Sequence, residues 1–313
     1  MKAIPSKKNK TAYYVFLSLF FLFNQDVFAQ TGSLRQEIEK LISNRKADIG
    51  VSIKGIEQGD TLSIQGDKSF PLESVFKFPI ALYVLSRVDL HALSLDQKIP
   101  LRKQDVLPKT WSPIRDKYPN GGVSLPIDTI LQYMVSESDN LGCDLLLKQV
   151  GGPLRVHNYV RQLGVPGFVI KVNEKTMHRG FDMQRINTAT PKAATQLLTL
   201  FYHRRILSQK SHDHLMEIMY QTSTGSARIK GQLPPGTPVA HKTGTSDTNK
   251  EGLTLAVNDI GIVTLPNGNH FVISVFVSNS RENEETNDKI ISDIARLTWD
   301  YFTRKTSNSV TLN

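Results

Sequence analysis

Cysteine is nearly absent. Cys143 stands alone in 313 residues, so no intrachain disulfide can form and no lipid-bearing cysteine follows the N-terminal apolar stretch. Long hydrophobic runs are missing too: the uncharged, mostly apolar run from Ala12 to Phe23 is too short to span a bilayer, which needs about 20 residues. There is no internal repeat and no low-complexity segment. Basic residues outnumber acidic ones, 38 to 29, yet they neither cluster nor interleave with aromatics, which argues against a nucleic-acid partner. Metal chemistry finds little support, because His212 and His214 are two apart on a predicted helix and point to different sides. No pattern calls for a cofactor.

What is present begins with a secretory pattern. Lys2, Lys7, Lys8 and Lys10 precede the apolar run, and Val27-Phe28-Ala29 offers a small-residue cleavage site, so residues 1–29 read as a signal peptide cut after Ala29. A soluble product in the periplasm or outside the cell follows, with no stable membrane association. The remaining 284 residues hold 34 basic and 28 acidic side chains, a net +6 that suits an anionic small substrate. They are enough for a sizeable core, and a monomer is expected.

The periodicity changes twice along the chain. A short helix is expected over Ser33 to Ile42, then strands over Asp48 to Ile53 and Thr61 to Ile64 in an antiparallel hairpin. From Ser74 the pattern reads as helical for well over a hundred residues, with helices over Pro126 to Met134, Leu141 to Val150 and Leu154 to Leu163. A polar, irregular stretch from Val169 to Ala189 ends at Thr190 and Pro191, an N-cap and first-turn pair. Helices near Lys192 to Arg205 and Gln209 to Tyr220 follow. Strands then return at Val239 to Thr243, Leu253 to Thr264 and Phe271 to Ser278, before a last helix over Thr286 to Phe302. Strands at both ends around a helical middle predict one sheet built from both termini, a separate helical lobe, and a cleft between them.

Three short motifs carry chemistry. Ser74 and Lys77 lie three apart at the start of an apolar run, one turn apart on one helix face, where a buried lysine can take the serine's proton. Alone this spacing is weak: about one copy is expected by chance in such a chain, and Ser43 to Lys46 is a second, which precedes Asp48 with no apolar helical run behind it. Ser138-Asp139-Asn140 and Lys242-Thr243-Gly244-Thr245 are different, each tripeptide being expected in only about one chain in twenty. Acyl transfer needs a nucleophile, a base, a proton donor for the leaving nitrogen and an oxyanion pocket. Ser74, Lys77, Ser138 with Lys242, and the backbone N–H groups of Ser74 and Thr245 can supply these in turn.

The three ordered motifs are those of class A β-lactamases and penicillin-binding proteins, and over the whole mature chain the sequence resembles the class A serine β-lactamases. Val-Ser-Glu-Ser-Asp-Asn at 135–140, Gly-Gln-Leu-Pro at 231–234 and Val-Ala-His-Lys-Thr-Gly-Thr at 239–245 make it most similar to their VEB- and PER-type extended-spectrum branch. The resemblance implies an α/β plus all-α two-domain fold, an antiparallel sheet built from both chain ends with helices on its faces and a central helical domain. It places an α/β domain at 30–70 and 221–313 and the helical domain at 71–220. It implies hydrolysis of penicillins and cephalosporins through an acyl-enzyme on Ser74, with Glu174 holding the water that releases it. Asn140 would bind the substrate's amide side chain. Lys242, Thr243, Gly244, Thr245 and Arg228 would line the carboxylate side, and Trp111 the mouth. His178 stands where asparagine is usual, and Val172 where many relatives keep an arginine that braces the loop. A DD-peptidase or a penicilloylated sensor domain is the alternative, and Glu174 argues against both. Cys143 is expected to be a packed thiol.

Overall fold

Two stretches of the chain, one near each end, build a single antiparallel sheet in the computed structural model, which describes residues 31–106 and 108–310. The predicted signal segment lies outside the described residues. A first helix, α1, covers residues 31–42. It leads into β1 (Asp48–Gly55) and β2 (Thr61–Ile64); near the other end follow β8 (Val239–Thr245), β9 (Thr254–Thr264) and β10 (His270–Ser280). The spatial order is β2-β1-β10-β9-β8, and β1 pairs with β10 along its whole length, from Asp48 opposite Ser278 to Gly55 opposite Phe271. Strands β8 to β10 are buried on both faces, which is why they read as apolar runs rather than as alternation.

On one face, α1 and the last helix, α10 (Glu284–Val310), bury Leu34, Ile38, Ile290, Ile294 and Phe302 against Val51, Ile53 and Val275. On the other lies α8 (Pro191–Tyr202). Gly50 in β1 has no side chain because a Cβ there would collide with the Phe70 ring and with Pro191. The Thr190 hydroxyl accepts from the Ala193 N–H at 3.1 Å, the expected N-cap, with Pro191 in the first turn.

Between the sheet-forming stretches the chain is less uniformly helical than its periodicity predicts. After α2 (Lys77–Asp89) comes a ribbon of β4 (Lys98–Leu101) and β5 (Val123–Pro126), with a 3-10 turn (Lys103–Asp105) and a short α3 (Pro113–Lys117) between them. Then α4 (Ile127–Ser136), α5 (Asn140–Gln149) and α6 (Pro153–Gln162) pack around α2, together with α9 (Gln209–Tyr220). Gly151 and Gly152, at φ 88° and 94°, break α5 from α6 as expected. The stretch expected to be irregular is tied at its base: β6 (Phe168–Val169) and β3 (Phe70–Pro71) both pair with β7 (Thr188–Ala189). Inside it, Glu174 opens a single helical turn, α7 (Glu174–Met177).

Candidate active site

Ser74 sits in one 3-10 turn, Glu73–Phe76, that runs into α2, so the nucleophile's turn is tighter than the α-helical start expected from the sequence. Pro79 is the third residue of α2, where it removes no helical hydrogen bond. The turn is held from behind. The Asn258 side chain on β9 donates to the Pro71 carbonyl at 2.8 Å and the Leu72 carbonyl at 3.2 Å, and the Leu72 N–H donates to the Asn187 carbonyl at 2.9 Å. β8 runs directly against it: a Cβ on Gly244 would lie 2.5 Å from the Leu72 carbonyl oxygen and 3.2 Å from the Glu73 Cβ. This close approach accounts for the glycine of Lys242-Thr243-Gly244.

Lys77 and Lys242 are fully buried, and Glu174 is 2 % exposed, whereas Ser74 is half-buried and open to a reactant. The Lys77 Nζ donates to Ser74 Oγ and to the Ser138 carbonyl, both at 2.8 Å, and to Asn140 Oδ1, and it lies 2.8 Å from Glu174 Oε1. Two contacts of 2.8 Å from one nitrogen put the serine and glutamate oxygens no farther apart than a single bridging water can span. Lys242 Nζ reaches Ser138 Oγ at 3.0 Å from the other side, and Lys77 reaches the same hydroxyl at 3.5 Å. Burial, and then the neighbouring Lys77 charge, hold the Lys242 amine well below its usual range. Ser138 has φ 60°, and the turn is fixed by Asp139, whose carboxylate accepts from the Gly142 and Ile114 N–H groups, both at 2.7 Å, and from the Ser112 hydroxyl. One serine hydroxyl is therefore in contact with a buried lysine nitrogen, and a second lies between the same nitrogen and that of Lys242. That arrangement can acylate the first and deliver a proton through the second.

A family model described as the beta-lactamase enzyme family matches residues 33–302. The chain is 49% identical to beta-lactamase VEB-1 of Pseudomonas aeruginosa over 95% of its length and 99% of that protein. It is 39% identical to the extended-spectrum beta-lactamase PER-1 of Pseudomonas aeruginosa over 89% of its length and 90% of that protein. Among solved structures, a representative class A beta-lactamase from Bacteroides cellulosilyticus superposes with a TM-score of 0.83 at 36% identity, covering 87% of this chain and 98% of the other. The chain belongs to the β-lactamase enzyme family. It is a class A β-lactam hydrolase with the two-domain fold that the sequence resemblance implied.

The remaining residues singled out from the sequence fall around this β-lactamase centre. Trp111 is 60 % exposed beside the Ser138 turn, its indole N–H donating to the Glu137 carbonyl at 2.7 Å. Asn140 turns its oxygen to Lys77 and its amide to Thr110 Oγ1 at 2.7 Å. His178 ties this corner to the Glu174 turn. Its Nδ1–H donates to the Glu174 carbonyl at 2.9 Å, and its Nε2 lies 3.3 Å from the Thr110 hydroxyl, an acceptor position once Thr110 itself accepts from Asn140. Thr243 Oγ1 and Thr224 Oγ1 are 2.6 Å apart. Arg228 is not free toward the cleft: Nε donates to Asp288 at 2.7 Å, Nη1 to the Gly244 and Asn258 carbonyls at 3.1 Å each, and Nη2 to Thr245 Oγ1 at 2.8 Å. Because the Thr245 hydroxyl accepts from Arg228, its own proton is still free to be donated.

The supports of the Glu174 turn escaped the sequence reading. Asp144 accepts from the Glu174 N–H at 2.8 Å and from the Lys175 N–H and Asn173 Nδ2 at 3.0 Å. Burial outweighs these bonds and pushes its carboxyl up to about 6. Asn187 accepts from the N–H groups of Lys171 and Val172 at 2.8 and 3.1 Å and donates to the Val172 carbonyl at 2.9 Å. Amide and carboxylate contacts to backbone thus brace the loop that has Val172 in place of an arginine. The only advance signal was their position, one helical turn past Asn140 and just before Thr190. Elsewhere, the two imidazoles of His212 and His214 diverge, the first to Asp213 and the second to Asp128 on α4. Cys143 is buried, and burial raises its thiol well above the usual range.

Proposed function

We propose that the protein hydrolyses penicillins and cephalosporins as a serine enzyme, through a covalent ester on Ser74 that water held and activated by Glu174 then cleaves. The carrying observation is the fully buried Lys77 Nζ lying 2.8 Å from both Ser74 Oγ and the buried Glu174 Oε1. A proton leaving Ser74 enters this lysine–glutamate pair as the serine oxygen bonds to the lactam carbonyl carbon. The carbonyl oxygen, now an anion, is met by the backbone N–H groups of Ser74 and Thr245. When the carbon–nitrogen bond breaks, Ser138 gives its proton to the nitrogen and is resupplied by Lys242, which regains it from Lys77 through the Ser138 hydroxyl, so that the lysine–glutamate pair can accept a proton again. In the second half, Glu174 takes a proton from water as the water oxygen attacks the ester, and the serine oxygen leaves with a proton from Lys77.

Substrate recognition follows from the surrounding groups. The hydroxyls of Thr243 and Thr245, with the charges of Lys242 and Arg228, take the substrate carboxylate. Asn140 and His178 stand where the acylamide side chain enters, and Trp111 lines the mouth. The 39% identity to a protein named as extended-spectrum supports a broad cephalosporin range. The domains divide at 30–70 with 221–313 and at 71–220. The enzyme works as a monomer in the periplasm or outside the cell after cleavage behind Ala29.

The test is intact-mass spectrometry after mixing wild type and Glu174→Ala with a cephalosporin. Rapid return of the wild type to its free mass while the variant remains an adduct is the expected result. A persistent adduct on both would remove Glu174 from deacylation and favour a penicilloylated role.

A further inference from the structure

A second cleft, of about 670 Å³, opens at the far edge of the sheet, between β1, β2 and α8. Sheet order puts four strand spacings between β2 and β8, roughly 19 Å, so this cleft is separate from the Ser74 site. Its charge is of one sign. Arg35, Lys54, Lys192 and Arg205 line it together with His203, and no carboxylate does. Arg35 and Lys192 each meet an acid on the outer rim, Glu39 at 3.1 Å and Asp67 at 2.6 Å. Lys54 and Arg205 meet none among the described residues.

The floor is polar where the sheet's opposite face is apolar. Ser52 and Lys54 project toward α8, opposite Ser63 and Thr61 on β2, and Thr195 and Thr199 face them from the helix. The Thr195 hydroxyl lies 3.1 Å from the Ser52 carbonyl and 3.0 Å from Ser274 Oγ, and Thr199 donates to the Thr195 carbonyl at 2.7 Å. The Thr195 and Thr199 hydroxyls are thus taken up by backbone carbonyls and by Ser274, while two cations stay uncompensated above them. A walled cleft lined by like charges focuses its field on an oppositely charged ligand. Its volume is that of a small-molecule site.

We propose that this cleft binds a phosphate monoester carried on a small polyol, the phosphate between Lys54 and Arg205 and the polyol hydroxyls along Thr61 and Ser63, the accessible hydroxyls of β2. The test is an NMR titration of the isotope-labelled protein with glucose 6-phosphate, with glucose as control and with vesicles containing phosphatidic acid as a second source of the same phosphate. Expected are amide shifts confined to β1, β2 and α8, with a Kd below about 1 mM, no such shifts with glucose, and at least tenfold weaker binding in Lys54→Glu/Arg205→Glu. Lys54→Gln/Arg205→Gln should weaken it less. Both variants should hydrolyse a chromogenic cephalosporin like the wild type, which shows that they are folded. Binding of glucose 6-phosphate assigns the soluble source, and co-sedimentation with vesicles alone assigns the lipid source. Shifts centred on Ser74 and Lys242, affinity unchanged in the Glu variant, or binding of neither probe would overturn the proposal.

Discussion

Glu73 adjoins the serine in sequence, yet it is buried, has φ 44°, and its Oε1 meets no hydrogen-bond partner. Burial, reinforced by the Glu174 charge, raises its carboxyl well above the usual range, so the folded chain binds that proton more tightly than the unfolded chain does. Its stabilising contribution is full below the unfolded value of about 4.3 and is lost as pH climbs through the folded value. Glu73→Gln keeps the shape without the charge. Its Tm should exceed the wild type's by roughly 3 °C or more at pH 8 and converge with it near pH 4, as read by thermal melts across pH. Arg228 poses the opposite problem, a buried cation with its partners satisfied. Arg228→Ala should raise KM for cephalosporins at least about tenfold, more than it lowers kcat, because Thr245 loses its donor. It should also cost about 3 kcal/mol of stability by stranding Asp288. Adding Asp288→Asn should recover Tm but not KM, and steady-state kinetics beside a melt separate the two. Residues with distinctive chemistry, such as Ser74, Lys77, Ser138 and Lys242, were legible in the sequence because residue type and spacing encode them. Asp144, Asn187 and Asn258 were not, since each acts on backbone groups that only the fold brings near.

At the scale of elements the same division holds. Long helices and the buried strands β8 to β10 announce themselves by period and by apolar content, and their observed ends lie within a few residues of expectation, except that α10 continues past the expected Phe302 to Val310. Strands of two to four residues, such as β3, β6 and β7, are too short to show any period, and the β4–β5 ribbon falls among residues that carry helical spacing by coincidence. Of these, β3, β6 and β7 pin the Glu174 loop. The pinning predicts a selective kinetic defect. In Asp144→Asn an NH₂ group replaces an acceptor oxygen and faces the donors of Lys175 and Asn173, so the turn carrying Glu174 must shift. A displacement near 1 Å can cost about 100-fold in rate. Deacylation should therefore slow at least about tenfold, while Ser74 and Lys77, which Asp144 does not touch, still acylate. Stopped-flow hydrolysis should show a burst that the wild type lacks, and equal loss in both phases would mean a wider collapse.

The whole molecule closes on a non-local step. β1 is complete by residue 55, but its neighbour β10 begins only at residue 270, and the face they share is covered by α1 and α10. The sheet that presents Lys242 to the helical lobe therefore forms only when both ends of the chain are present, a high-contact-order assembly of the kind that folds slowly. The contribution of α10 can be weighed. Ile290, Ile291, Ile294, Trp299 and Phe302 are all buried against the sheet, and each buried side chain of this size stabilises by about 1.5–3 kcal/mol. Together these losses are comparable to the roughly 5–15 kcal/mol that hold a typical domain folded. A chain ending at residue 283 keeps every residue assigned to the active site, yet it should show no cooperative thermal transition by circular dichroism and no cephalosporin hydrolysis. Adding residues 284–313 as a separate peptide should restore part of both. A truncated chain that melts cooperatively and turns over substrate would mean that the inner face, with α8 and the helical lobe, is stable without the outer layer.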